Sequence, residues 1–118
     1  MTDEIAEQWQ DGIRQAVAEF AKANAEAKYL EHFRKSKKAL LMAEAASKDP
    51  EQYKTSASQE AYAYRHPEYL ELLEGYRKAV EVQEYRRWQL KIREMRFESW
   101  RTEQANQRRE AQRYGHGG

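Results

Sequence analysis

Proline occurs at only two positions in this 118-residue chain, Pro50 and Pro67, and no other feature constrains its fold as strongly. Proline cannot donate to the helical hydrogen-bond ladder and biases the residue before it away from helical backbone, so each one ends or opens a helix. The stretches from Thr2 to Ser47 and from Glu68 to Tyr114 contain none, and the first has a single internal glycine, Gly12. Ala, Glu, Lys, Leu and Arg supply 62 residues, a composition of long helices, whereas Val, Ile and Thr together supply nine. The expected fold class is all-α: a long, coiled-coil-like antiparallel two-helix hairpin with a short intervening helix.

Local signals place the boundaries. Asp3, Glu4 and Glu7 favour the positive end of a helix dipole, and Lys48-Asp49-Pro50 closes that helix, giving a span of about 3–47. Ser56 and Gln59 have capping-box spacing, which predicts a short helix over 56–65. His66-Pro67-Glu68 opens the next helix with proline at its first position, and Gly115 is the natural stop, giving 67–114. Residues 1–114 are expected to form one hairpin domain, followed by a flexible tail over 115–118.

In the first long helix Ile5, Trp9, Ile13, Ala16, Phe20, Ala23, Ala27 and Leu30 recur in steps of three and four, a heptad seam that continues less cleanly through Phe33, Leu40 and Leu41. Charge predicts how the helices pair. Residues 1–33 hold seven acids against three bases, while residues 86–113 hold nine bases against four acids. The basic run Arg34-Lys35-Ser36-Lys37-Lys38 meets residues 67–84, with five acids and two bases, when the chain folds back on itself. A register in which paired numbers sum to about 115 sets Ala27, Ala23 and Phe20 against Trp88, Ile92 and Met95, small residues facing large ones.

Catalytic and cofactor chemistry finds no support. There is no cysteine, so no thiolate ligand or nucleophile, and His32, His66 and His116 lack metal-binding spacing. No glycine-rich loop precedes a helix to cradle phosphate. The reading is a non-enzyme with no metal and no cofactor. No apolar run approaches a membrane span, and the acidic N-terminus is unlike a secretory signal, so the expected location is the cytoplasm.

At 100° per residue the third helix carries two apolar faces. Trp88, Ile92 and Met95 form one, assigned here to the seam. Arg86, Leu90, Arg93, Phe97 and Trp100 form roughly the opposite one, a partner-binding candidate, since a two-helix hairpin cannot cover both. The occupant of that second face is the short helix, a second copy in a homodimer, another protein drawn to arginine and tryptophan, or single-stranded DNA stacking on the rings. Arg34, Lys35, Lys37 and Lys38 are further candidate nucleic-acid contacts, although acids are expected opposite them.

The segments Ser58-Gln59-Glu60-Ala61-Tyr62-Ala63, His66-Pro67-Glu68-Tyr69-Leu70-Glu71-Leu72-Leu73, Tyr85-Arg86-Arg87-Trp88-Gln89-Leu90 and Trp100-Arg101 resemble a group of small helical proteins of tailed bacteriophages. The likeness runs from about Arg34 to Arg113. Such proteins tend to be encoded near recombination and replication genes, so the resemblance implies an accessory role in phage DNA metabolism within the bacterial host cytoplasm. It assigns no catalytic residue. The expected partner is a phage or host protein of DNA metabolism, with single-stranded DNA binding, inhibition of a host defence protein or enzyme, and a structural role as alternatives.

Overall fold

The computed structural model describes residues 2–116 and is all-α among them. Helix α1 spans Thr2–Lys48, α2 Ser56–Arg65 and α3 Pro67–His116. The expected boundaries hold to within two residues. One difference is at the end of α3, which runs through Gly115 to His116 instead of stopping at the glycine. Nothing in the backbone there takes up the left-handed conformation that a glycine stop uses. The rest of the expected tail, Gly117 and Gly118, lies outside the described residues.

The hairpin is antiparallel, and its contacts group into two compact units. One unit runs from Ala21 to Glu84 and holds the end of α1, all of α2 and the start of α3. Its core is Leu41, Ala63 and Tyr69, with Met42 and Leu73 packed against it. Lys37 Nζ lies 2.6 Å from Glu68 Oε2, and Gln83 Nε2 donates to Asn24 Oδ1 at 2.6 Å. The other unit joins the chain up to Phe20 with the chain from Tyr85 onward. There Arg86 Nη1 lies 2.9 Å from Glu19 Oε2, and Arg93 Nη1 donates to the Gly12 carbonyl at 2.6 Å.

These pairs correct the expected register. Paired numbers sum to 105 in three of them and to 107 in the fourth, not to about 115. The charge blocks are broad, so acids meet bases over a wide range of slides, and specific polar pairs select among them. The seam of α1 is as the heptad spacing predicts from Trp9 onward, whereas Ile5, its expected first member, is exposed. Ala16, Ala23 and Ala27 are buried, and Trp9, Ile13, Phe20 and Leu30 are half-buried. Farther along, Leu41 carries the seam while Phe33 and Leu40 stay exposed.

Helix α2 is capped one residue earlier than the spacing of Ser56 and Gln59 suggests. Thr55 Oγ1 accepts from Ser58 N–H at 3.1 Å, and Ser58 Oγ accepts from Thr55 N–H at 3.2 Å. Two hydroxyl residues thus make the reciprocal bonds of a capping box, and Gln59 instead donates to the Tyr53 carbonyl.

Gly75 sits inside α3 with nothing within 4 Å of where a Cβ would stand. Glycine in a helix interior costs about 1 kcal/mol relative to alanine through backbone entropy. Gly75→Ala is therefore expected to stabilise the protein by about that amount. A urea midpoint that stays put or falls would show that this glycine answers a constraint of packing.

Candidate interaction surface on the third helix

The two faces of α3 are reversed relative to the assignment drawn from hydropathy. Arg86, Leu90, Arg93, Phe97 and Trp100, expected to await a partner, are all half-buried. Four of them have explicit contacts within their own unit. Arg86 holds Glu19 and also donates to Gln89 Oε1 at 3.1 Å. Arg93 reaches the Gly12 carbonyl. The rings of Phe97 and Trp100 stack with centroids 6.1 Å apart, and Trp9 lies 6.5 Å from each. The buried residue of short helix α2, Ala63, packs within its own unit with Leu41 and Tyr69.

The physical reason lies in what arginine can do at a helix seam. Its aliphatic stem fills space between helices while the guanidinium reaches a carboxylate or a carbonyl at the edge. Arg87 behaves similarly, with its guanidinium carbon 5.4 Å from the Phe20 ring centroid. Counting apolar residues therefore undervalues this face. It also overvalues the other one, because an exposed apolar residue has no acceptor or ion partner to satisfy and can remain in solvent.

Trp88, Ile92 and Met95 accordingly point outward. They are 56 %, 40 % and 60 % exposed, and Tyr85 at the start of the same stripe is also exposed. Residues 85, 88, 92, 95, 99 and 102 recur in steps of three and four, so the outward stripe repeats the heptad spacing of a packing seam. Ser99 and Thr102, both exposed, continue it with small side chains. Lys91 Nζ sits 4.7 Å from the Trp88 ring centroid along one edge. A shallow groove opens beside the stripe, lined by Ile92, Met95, Ser99, Trp100 and Glu103 together with Trp9.

The basic run on α1 is largely occupied by its own unit. Lys37 pairs with Glu68, whose carboxyl is held below its ordinary pKa by that hydrogen bond. Lys38 lies 3.3 Å from Glu60 and 4.9 Å from the Tyr64 ring centroid, and its ammonium is raised above its ordinary pKa chiefly by the Tyr64 hydroxyl. The Arg34 guanidinium lies over the Tyr76 ring at 5.2 Å. Lys35 remains exposed. Of the acids expected opposite this run, Glu68 is in place, Glu60 of α2 supplies a second, and three of the four cations are engaged.

Among the described residues no group of His, Cys, Asp or Glu is arranged to hold a metal ion, and no helix is long and apolar enough to cross a membrane. Compared with known proteins, the chain matches no family model, no curated sequence and no solved structure.

Proposed function

We propose that this chain is a non-enzymatic accessory protein that acts by binding another protein chain through α3. One observation carries the reading: Trp88, Ile92 and Met95 are exposed in heptad spacing on a helix whose opposite face is already engaged. Tryptophan, tyrosine and methionine are enriched at the centres of protein interfaces, where burying them yields most of the binding energy. The resemblance to small helical phage proteins supports a setting in DNA recombination and replication, in the bacterial host cytoplasm, with a phage or host protein of that machinery as the client. A host defence protein or enzyme would use the same stripe.

Direct binding of single-stranded DNA draws less support. The arginine and aromatic mixture that would stack on bases is turned toward α1, where Arg86, Arg93, Phe97 and Trp100 already have partners. Fluorescence anisotropy of labelled single- and double-stranded DNA at about 50 and 200 mM salt separates the readings. A flat titration at the lower salt is the expected outcome. Tight single-strand binding with a steep salt slope would replace the protein-binding reading with a nucleic-acid one.

A further inference from the structure

The outward stripe on α3 carries its own selection rule for what can cover it. Its positions alternate between two heptad sites: Tyr85, Ile92 and Ser99 occupy one, and Trp88, Met95 and Thr102 the other. When two such helices pack antiparallel, a residue of the first kind faces one of the second kind across each layer. In the slide where paired numbers sum to 187, Tyr85 meets Thr102, Trp88 meets Ser99, and Ile92 meets Met95. Each large ring then faces a small side chain, and the two medium residues face each other, as close packing requires. The shallow groove beside Ser99, walled by Met95, Trp100 and Glu103, lies where the opposing Trp88 would enter.

The flanking charges select the same slide. Lys91 and Glu98 occupy equivalent edge positions one heptad apart, and both are exposed. With the sum at 187 each Lys91 lies beside Glu98 of the other helix on a shared edge, two residues from level and twice by symmetry, and Gln89 lies beside Arg96 on the other edge. Shifting the partner by seven residues in one direction sets Lys91 against Lys91 and Glu84 against Glu98. The opposite shift sets Glu98 against Glu98 and Arg96 against Arg96. A parallel pair sets Lys91 against Arg96 and Glu98 against Glu103. Each of these three alternatives brings like charges together, which opposes pairing. Arg101 holds one oxygen of Glu98 at 3.2 Å and leaves the second for a cation across the seam.

From these observations we infer that the stripe is covered by a second copy of this chain. The two α3 helices pack antiparallel about a two-fold axis between Arg93 and Glu94, with Trp88 seated over Ser99 of the other copy and Lys91 paired with its Glu98. The inference rests on the reading of α3 as a protein-binding helix and names the partner at that stripe.

Sedimentation velocity of the full chain across the micromolar range tests it, with helicity of every variant checked by far-ultraviolet circular dichroism. The wild-type chain is expected to be a dimer and Trp88→Asp a monomer of unchanged helicity. Lys91→Glu and Glu98→Lys alone each turn two attractive contacts repulsive and weaken association about tenfold, while the double variant K91E/E98K restores it. Because the chain has no cysteine, Ile92→Cys mixed with Met95→Cys should cross-link to each other in preference to themselves. A monomer at all concentrations overturns the inference, as does a dimer indifferent to the charge exchange. If a monomeric chain still retains a recombination protein and Trp88→Asp abolishes that retention, the second copy is rejected and the protein-binding reading stands. If Trp88→Asp leaves both behaviours unchanged, both are rejected.

Discussion

Replacing Leu41 by alanine should cost about 2–4 kcal/mol of unfolding free energy, the range for deleting a buried leucine that leaves a partly collapsed cavity. Leu41 is 3 % exposed and forms, with Ala63 and Tyr69, the core of the unit from Ala21 to Glu84. The damage should fall first on α2. That helix has ten residues, too few to be stable alone, and its buried residue is Ala63, which sits in this cluster. Urea denaturation should show the full loss, and amide hydrogen exchange over Ser58–Arg65 should accelerate more than over Ala16–Phe20. Equal acceleration in both segments would mean that the two units open together, and an unchanged midpoint would remove Leu41 from the core.

The second large effect is expected at Trp9. Its ring touches both members of the Phe97–Trp100 stack, so it closes an aromatic trio between α1 and α3. Each aromatic pair contributes about 0.5–1.5 kcal/mol beyond the area it buries, and Trp9 is only half-buried, so Trp9→Ala should cost about 2–3 kcal/mol. The emission of Trp100 should shift to the red as its cover is removed, and near-ultraviolet dichroism should fall. Trp88→Ala supplies the contrast. That ring is 56 % exposed, and its loss should change the stability of the single chain by no more than about 0.5 kcal/mol. Reversal of this order between Trp9 and Trp88, at a concentration where sedimentation shows a monomer, would mean that α3 presents its other face to α1.

How much of this could be read from residues alone depended on which physical signal spoke. Pro50 and Pro67 mark boundaries through backbone chemistry, which acts locally, and the three helices lie where they indicate. The heptad seam of α1 was legible because its small and apolar residues stand among charged ones. Helix α3 offered two stripes, and the hydropathy of Trp88, Ile92 and Met95 pointed to the face that is in fact exposed. The inward face hides its role behind Gln83, Arg86, Arg87 and Arg93, polar residues whose fit depends on partners found only across the hairpin. A signal did exist: Gln83, Arg86, Leu90, Arg93, Phe97, Trp100 and Gln104 also recur at threes and fours, and Gln83 and Arg86 have matching polar residues on α1 in Asn24 and Glu19. Thr55 as the cap of α2 escaped notice because Ser58, not a glutamine or glutamate, supplies the returning bond.

The alanine-rich seam has a thermal consequence. Among the described residues the buried ones are Ala16, Ala23, Ala27, Ala45 and Ala63 with Leu41 and Tyr69. The chain leaves 9052 Å² in contact with water, against about 6,700 Å² for a compact protein of this mass. Unfolding therefore newly hydrates less apolar surface than usual, and the heat-capacity increment falls below the ordinary value of about 12–15 cal/mol/K per residue. A small increment flattens the dependence of stability on temperature. Warming and chilling then erode this protein gradually on either side of a broad optimum, with cold denaturation pushed far below freezing.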